Sequence, residues 1–236
     1  IAYHQRLERG LYLSAGASAG ALHYRIDDSG MTFDEQFSIN GYDPGLPSAE
    51  NFERFSRTVP SLSAGLLLFS PTDGWTAGAA LHHINQPAYS FFGKDGNRLG
   101  MGVSLHGSAT FNLSTVTQRS RLTVRGLFRR QSVFGNSRQW LLMPGAAWRY
   151  AFGQRQQAQG FSLGRSCRLS GHAEGQPVTL DAFIPAAYFD FDAFSLGFSY
   201  DVNVSSAARE SYLRGGWEVT VSYQNRKPGC VVCPSW

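Results

Sequence analysis

Two adjacent histidines, His82 and His83, are the first residues whose type could do chemistry, because imidazole nitrogens are common metal ligands. They end a stretch, Trp75 to His83, whose residue pattern predicts a β-strand. Successive side chains of a strand point to opposite faces of the sheet, so we expect the two imidazoles to point in opposite directions. In a barrel, one of them would face the lumen and the other the rim. The pair therefore predicts no shared metal site.

No constellation typical of an enzyme accompanies the histidines. A catalytic site needs a nucleophile beside a base, paired carboxylates or a metal cluster. Neither a P-loop nor H-E-x-x-H occurs in the sequence. Gly93, Gly96 and Gly100 are followed by no helix, which favours a turn over a phosphate-binding loop. We expect a non-catalytic protein with no metal, no cofactor and no small-molecule substrate.

Three arginines form the clearest charged pattern. Arg121, Arg125 and Arg129 are separated by even intervals, which places them on one face of a strand. If that face points inward, they line the lumen of a barrel with positive charge. The alternative, pairing with Asp or Glu of neighbouring strands, is favoured because unpaired cations in a narrow lumen are costly.

The cysteines allow two interpretations. Cys230 and Cys233 form a C-x-x-C near the end of the sequence, and Cys167 stands apart. The pair could be half of a zinc site, but no second half-site supplies further ligands. Tail thiols or a disulfide between Cys230 and Cys233 are favoured, in keeping with an oxidising periplasm.

Alternation with a period of two dominates the sequence and predicts an all-β fold. In Leu99 to Leu113 one face carries the apolar residues Leu99, Met101, Val103, Leu105, Ala109, Phe111 and Leu113, and the other face carries small or polar residues. About eleven strands are expected. The others are Ile1–Arg6, Leu11–Ala21, Leu62–Leu68, Trp75–His83, Leu122–Arg130, Gln139–Phe152, Phe161–Leu169, Val178–Tyr188, Phe194–Val202 and Trp217–Tyr223.

Composition and loop lengths favour a membrane barrel. The longest apolar stretch, Ala64 to Phe69, is far shorter than the roughly 20 residues of a membrane helix. A net charge of +4 without a basic stripe argues against nucleic-acid binding. Short turns, such as Pro71 to Gly74, are expected at one rim, and long loops near 27–60 and 85–98 at the other, as in bacterial barrels. We expect one domain over 1–236, with a tail at 224–236.

Several segments resemble a known family. His82 to Pro87, followed by Tyr89 to Gly93, resembles the strand-to-loop signature of the PorP/SprF family. Ser199 to Ser206, Gly215 to Val219 and the closing Cys233-Pro234 resemble that family's C-terminal strands and tail. The partner-binding candidates that this resemblance implies are His82, His83, Asn85, Gln86, Pro87, Phe91, Phe92, Asp201, Asn203, Ser205 and Glu218.

The resemblance implies an antiparallel transmembrane β-barrel of about fourteen strands in the outer membrane of Bacteroidota, with some N-terminal strands missing here. It also implies a part in type IX secretion and gliding. Expected partners are outer-membrane lipids, the translocon and periplasmic ring lipoproteins, or secreted cargo with a type B C-terminal domain. A porin-like diffusion channel is the alternative.

Overall fold

Thirteen β-strands are present in the residues that the computed structural model describes, which are 1–8, 10–27, 31–47, 56–91, 97–114, 119–132, 138–152, 159–171, 178–205 and 215–223. The strands are β1 (Ala2–Glu8), β2 (Leu11–Arg25), β3 (Phe37–Ser38), β4 (Gly41–Tyr42), β5 (Ser56–Ser70), β6 (Trp75–His82), β7 (Gly102–Asn112), β8 (Ser120–Ser132), β9 (Arg138–Ala151), β10 (Gln159–Gly171), β11 (Thr179–Phe191), β12 (Phe194–Asn203) and β13 (Gly216–Tyr223).

Eleven of these strands form one antiparallel sheet. Its order is β1-β2-β5-β6-β7-β8-β9-β10-β11-β12-β13, so each strand pairs with its neighbours along the chain. The eleven strands expected from the alternation are thus confirmed. Among the described strands β1 and β13 are not paired with each other, so closure of the sheet into the expected barrel is not observed.

The register separates the side chains into two faces. The apolar face carries large hydrophobic side chains that are exposed, among them Leu62, Leu66, Leu81, Leu105, Leu163 and Leu196. The polar face carries mainly small and polar side chains, among them Ser14, Ser63, Thr76, Ser104, Thr123, Ser162 and Ser199. In the described part only Val59, Phe69, Ala151 and Ala182 are buried hydrophobic residues, so no second layer covers the apolar face there.

The connections alternate between the two ends of the strands. One end, the short-turn rim, carries the links at 9–10, 71–74, 113–119, 152–158 and 192–193. The other, the long-loop rim, carries 26–55, 83–101, 133–137, 172–178 and 204–215. The turn at 71–74 and the long links at 26–55 and 83–101 lie at opposite ends of the strands, whereas the expected short turn at 153–157 lies outside the described residues.

Expected boundaries differ from the structure at several strands, and two of the differences affect the long loops. The first long loop ends before Ser56, not at residue 60, because β5 pairs with β2 from Ser56 onward. That loop also contains a 3-10 turn, Asp34–Gln36, and the β3–β4 hairpin. Strand β7 begins at Gly102 rather than Leu99, since the Leu99 N–H bonds to the Pro87 carbonyl within the loop instead of to a neighbouring strand. None of the helical segments in the described ranges is long and apolar enough to cross a membrane.

Candidate functional site

Most of the partner-binding candidates lie at or near the long-loop rim. Strand β6 ends there at His82, β12 ends there at Asn203, and β13 begins there at Gly216. Five strands separate β6 from β12 in the sheet, so the candidates form two groups. One group is the corner after β6, and the other is the polar end of β10 to β13.

The corner after β6 is held by Asn85. Its Oδ1 accepts a hydrogen bond from the Leu62 N–H at 3.0 Å, and its Nδ2 donates to the Pro60 carbonyl at 2.8 Å. The Ile84 N–H also donates to the Leu62 carbonyl, at 2.9 Å. Asn85 therefore continues the pairing of β5 beyond the end of β6, which gives this motif residue a structural role.

The two histidines do not point to opposite faces, so that expectation is wrong. His82 Nε2 lies 3.2 Å from Ser104 Oγ, and His83 Nδ1 lies 2.8 Å from Ser61 Oγ. Both hydroxyls belong to the polar face. The alternation fails because β6 stops at His82 and His83 adopts a left-handed φ of 54°, which turns its ring back toward the polar face.

His83 is electrostatically coupled to its surroundings. Burial lowers the pKa of its imidazole from the ordinary value of 6.5, and the charges of His82 and Arg129 lower it further. A neutral ring can exchange a hydrogen bond with Ser61 in either tautomer. His83 therefore favours the neutral form, which suits a ring that orders a corner.

Other described residues of this loop pack on the ends of β2 and β5. The Tyr89 ring lies 5.7 Å from the Tyr24 ring, and Arg57 donates to the Ser90 carbonyl at 2.7 Å. Pro87 is buried and Gln86 is exposed, with a φ of 41°. Phe91 is half-buried, and Phe92 lies outside the described residues. The described part of the loop thus lies against the sheet at the long-loop rim.

A polar cavity marks the second group. Its volume is about 400 Å³, and it is lined by Arg168, Asp181, Asp201, Asn203, Ser205, Gly215 and Gly216. Arg168 Nη1 lies 2.7 Å from Asp201 Oδ2 in an ion pair across three neighbouring strands. Asn203 Oδ1 accepts hydrogen bonds from the Ser205 N–H and hydroxyl. This arrangement can bind a polar group by hydrogen bonds.

Glu218 lies on β13 opposite Ser199, on the polar face, and is exposed. The sequence interpretation missed Arg168 and Asp181 as members of this group. Arg168 falls in a strand with no motif, and only the pairing of β10 with β11 and β12 brings it to Asp201. An arginine on the polar face of β10, where the other residues of that face are small, was the available signal.

Three of the four arginines of β8, Arg121, Arg125 and Arg129, share the polar face, as expected from their spacing. Their strand partners on β7 are Asn112, Ser108 and Ser104. The favoured pairing with carboxylates is not found in the described part of the chain, where the ion pairs are Arg149 with Asp190 and Arg168 with Asp201. Arg129 Nη2 donates to Gln131 Oε1 at 3.3 Å.

No metal centre is found within the described ranges, where no three His, Cys, Asp or Glu side chains are grouped around a shared point. Cys167 is a free thiol on β10. Cys230 and Cys233 lie outside the described residues.

Comparison with known proteins gives a match to one family of proteins. No match was found among curated proteins. A sequence model of the family described as type IX secretion system membrane protein PorP/SprF matches residues 1–223. Because that match spans nearly the whole chain and the all-β sheet agrees with it, this chain belongs to the PorP/SprF family of type IX secretion system membrane proteins.

Proposed function

We propose that the chain is a single domain over 1–236 that forms most of the wall of an outer-membrane β-barrel. Support comes from the apolar face, which exposes rows of Leu, Phe and Val that a soluble protein would cover. Most sheet strands have 10 to 15 residues, and roughly 9–11 suffice to cross a bilayer at a tilt.

Aromatic rings on the apolar face also support the proposal of a membrane barrel. Trp148 contacts Phe161 edge to face at 5.5 Å, and Phe194 contacts Tyr223 at 5.0 Å, both close to the short-turn rim. Trp217 is exposed at the beginning of β13, close to the long-loop rim. Rings at both ends of an apolar band are typical of the girdles that lie at headgroup level.

We further propose that the protein acts without catalysis, by binding partners of the type IX machinery at the long-loop rim. The observation that carries this proposal is the gathering of the family-motif residues at that rim, around the Asn85 corner and the Asp201 cavity. Long loops of bacterial barrels face outward. We therefore favour reception or anchoring of secreted cargo with a type B C-terminal domain over docking of periplasmic motor or ring lipoproteins.

The two ion pairs offer a matched test of these roles. Arg168–Asp201 lies near the long-loop rim and Arg149–Asp190 near the short-turn rim. In cells, Asp201→Asn should reduce surface display of cargo while Asp190→Asn leaves display unchanged. If instead Asp190→Asn alone impairs secretion and co-purification of ring lipoproteins, the motor-docking role is correct.

Membrane location is tested separately. The protein should fractionate with the outer membrane and should migrate faster on a denaturing gel before boiling than after it, as folded barrels do. Recovery in a soluble fraction would overturn the barrel proposal and with it both partner roles.

A porin-like channel is the second candidate, and the three β8 arginines without carboxylate partners in the described chain favour it. The conductance of the purified protein in a planar bilayer distinguishes the channel from the secretion role. Steady, large currents from the protein alone would support the channel. An absence of current across the bilayer, together with binding of cargo by the protein, would support the secretion role.

A further inference from the structure

The polar face carries a line of positive charge along β8 that no ion pair among the described residues neutralises. Arg121, Arg125 and Arg129 share that face, and their spacing of four residues corresponds to about 13 Å between neighbours along a strand. The line therefore runs for about 26 Å, from near the short-turn rim to near the long-loop rim.

Neighbouring cations on the same face form ion pairs, whereas the arginines of β8 form none with the residues that the structure describes. Arg149 on β9 is paired with Asp190, and Arg168 on β10 is paired with Asp201. Arg121 is placed directly opposite Arg149 in the strand register, so like charges are neighbours there. Both carboxylates that form ion pairs in the described chain lie on β11 and β12, away from β8. The polar face thus carries net positive charge around β8, whereas the charges around β10 to β12 are balanced by ion pairs.

The surroundings of the line leave room for a ligand. Ser104 and Ser108 on β7 are opposite Arg129 and Arg125, and Gly145 on β9 is opposite Arg125 on the other side. A Cβ added at Gly145 would be 3.3 Å from Arg125 Nε, so the arginine lies over the glycine. Arg125 and Arg129 are exposed. Their guanidinium groups can therefore meet an anion without displacing a large side chain.

The length and chemistry of the line select one class of ligand. The backbone positions of the three arginines span about 26 Å along the strand, so a single phosphate or sulfate is too short to pair with all three. A nucleic-acid strand needs aromatic platforms for its bases, and the polar-face neighbours on β9 are Leu141, Met143, Gly145 and Ala147. We propose that this line binds an extended acidic polypeptide segment of a partner, whose carboxylates pair with the three arginines by charge-assisted hydrogen bonds.

This inference rests on the proposed barrel, which would place the polar face toward the lumen. The test uses the full chain in lipid nanodiscs, checked first by the shift of unboiled protein on a denaturing gel. The probe is a labelled synthetic peptide of about twelve residues with Glu at every fourth position, so that its carboxylates match the arginines. Its comparator has Gln at those positions.

The acidic peptide should bind, the Gln peptide should not, and added salt should weaken binding. The triple variant R121Q/R125Q/R129Q should lower affinity by about tenfold or more, as expected for the loss of several charge-assisted contacts. The matched control is Arg130→Gln, which removes a neighbouring arginine of β8 that lies on the apolar side of the register. It should bind as the unchanged protein does.

Three outcomes would overturn the inference while leaving the barrel intact: no binding by folded protein in nanodiscs, equal binding by the triple variant, or equally strong competition by inorganic phosphate. Failure of the protein to enter nanodiscs would count against the barrel itself. The two failures are therefore distinguishable.

Discussion

The side-chain amide of Asn85 bonds to the backbone of Leu62 as the peptide group of an adjoining strand would. It accepts from the Leu62 N–H and also donates to the Pro60 carbonyl, two residues away. Pro60 has no N–H of its own to offer. One side chain thus satisfies two backbone groups of β5 where the paired strand has ended, and it keeps the following loop against the sheet.

Asn85→Ala should destabilise the folded protein by about 1–2 kcal/mol, because two backbone groups lose their partner at a half-buried position. The measurement is the urea midpoint of the protein in detergent micelles or bilayers. Asn97→Ala, in the same loop, is the control, because only the backbone carbonyl of Asn97 forms a hydrogen bond with the described residues. Equal midpoints for the two variants would contradict the structural role of Asn85.

The pH dependence of stability should carry a contribution from His83, which lies just beyond the end of β6. Burial lowers its pKa in the folded state below 6.5, so the unfolded chain binds the proton more tightly. The contribution is present above 6.5 and is lost as the pH falls from 6.5 through the lowered folded value. His83→Gln should remove this part of the pH dependence, as followed by urea midpoints at several pH values.

The two ion pairs should each show measurable coupling. Both lie partly buried, with side-chain exposures of 23% and 26% for Arg149 and Asp190 and 35% and 28% for Arg168 and Asp201. Double-mutant cycles with Gln and Asn should give a coupling of about 0.5–1 kcal/mol for each pair, reduced by salt. A coupling of zero for Arg168 and Asp201 would argue against an ordered cavity at the long-loop rim.

A close approach on the polar face should make Gly197 intolerant of larger residues. A Cβ built there would lie 2.6 Å from the Tyr188 ring on the neighbouring strand. Gly197→Val should lower stability by about 1–3 kcal/mol through overpacking. Gly126→Ala is the control, since an added Cβ meets nothing within 4 Å there. Adding Tyr188→Ala should relieve much of the Gly197→Val effect.

Substitutions on the two faces should differ if the apolar face contacts lipid. Leu105 is 47% exposed on the apolar face, and Ser104 next to it belongs to the polar face. In bilayers Leu105→Arg should cost about 2–4 kcal/mol near the midplane, whereas Ser104→Arg should cost much less. Equal costs, measured as folded fraction against urea in lipid vesicles, would contradict the assignment of faces.

Residue pattern alone predicted the number of strands and their two faces, because the alternation of side chains is a local property of an extended chain. Leu105 and Ser104 could be assigned to opposite faces without any knowledge of the pairing. The same rule failed at His83, where a left-handed backbone and a bond to Ser61 on β5 replace the strand geometry.

Within the candidate site, the sequence identified Asn85 and Asp201 as candidates but did not reveal which residues they contact. The bond from Asn85 to Leu62 joins residues 23 positions apart, and the pair of Arg168 and Asp201 joins residues 33 positions apart. Such contacts depend on strand register, which arises when the strands pair and not within any one of them.

The sequence by itself determined that this protein is an all-β chain with one apolar and one polar face, because period-two alternation is encoded residue by residue. Its resemblance to a family rested likewise on short motifs. Only the tertiary structure decided which charges are neutralised. It pairs Arg149 and Arg168 with carboxylates of β11 and β12, and it leaves Arg121, Arg125 and Arg129 opposite Asn112, Ser108 and Ser104 of β7, without an ion pair to any described residue. The reason is physical: strand order and register choose the neighbours of each charge, and a neighbour several strands away cannot be inferred from spacing along one strand.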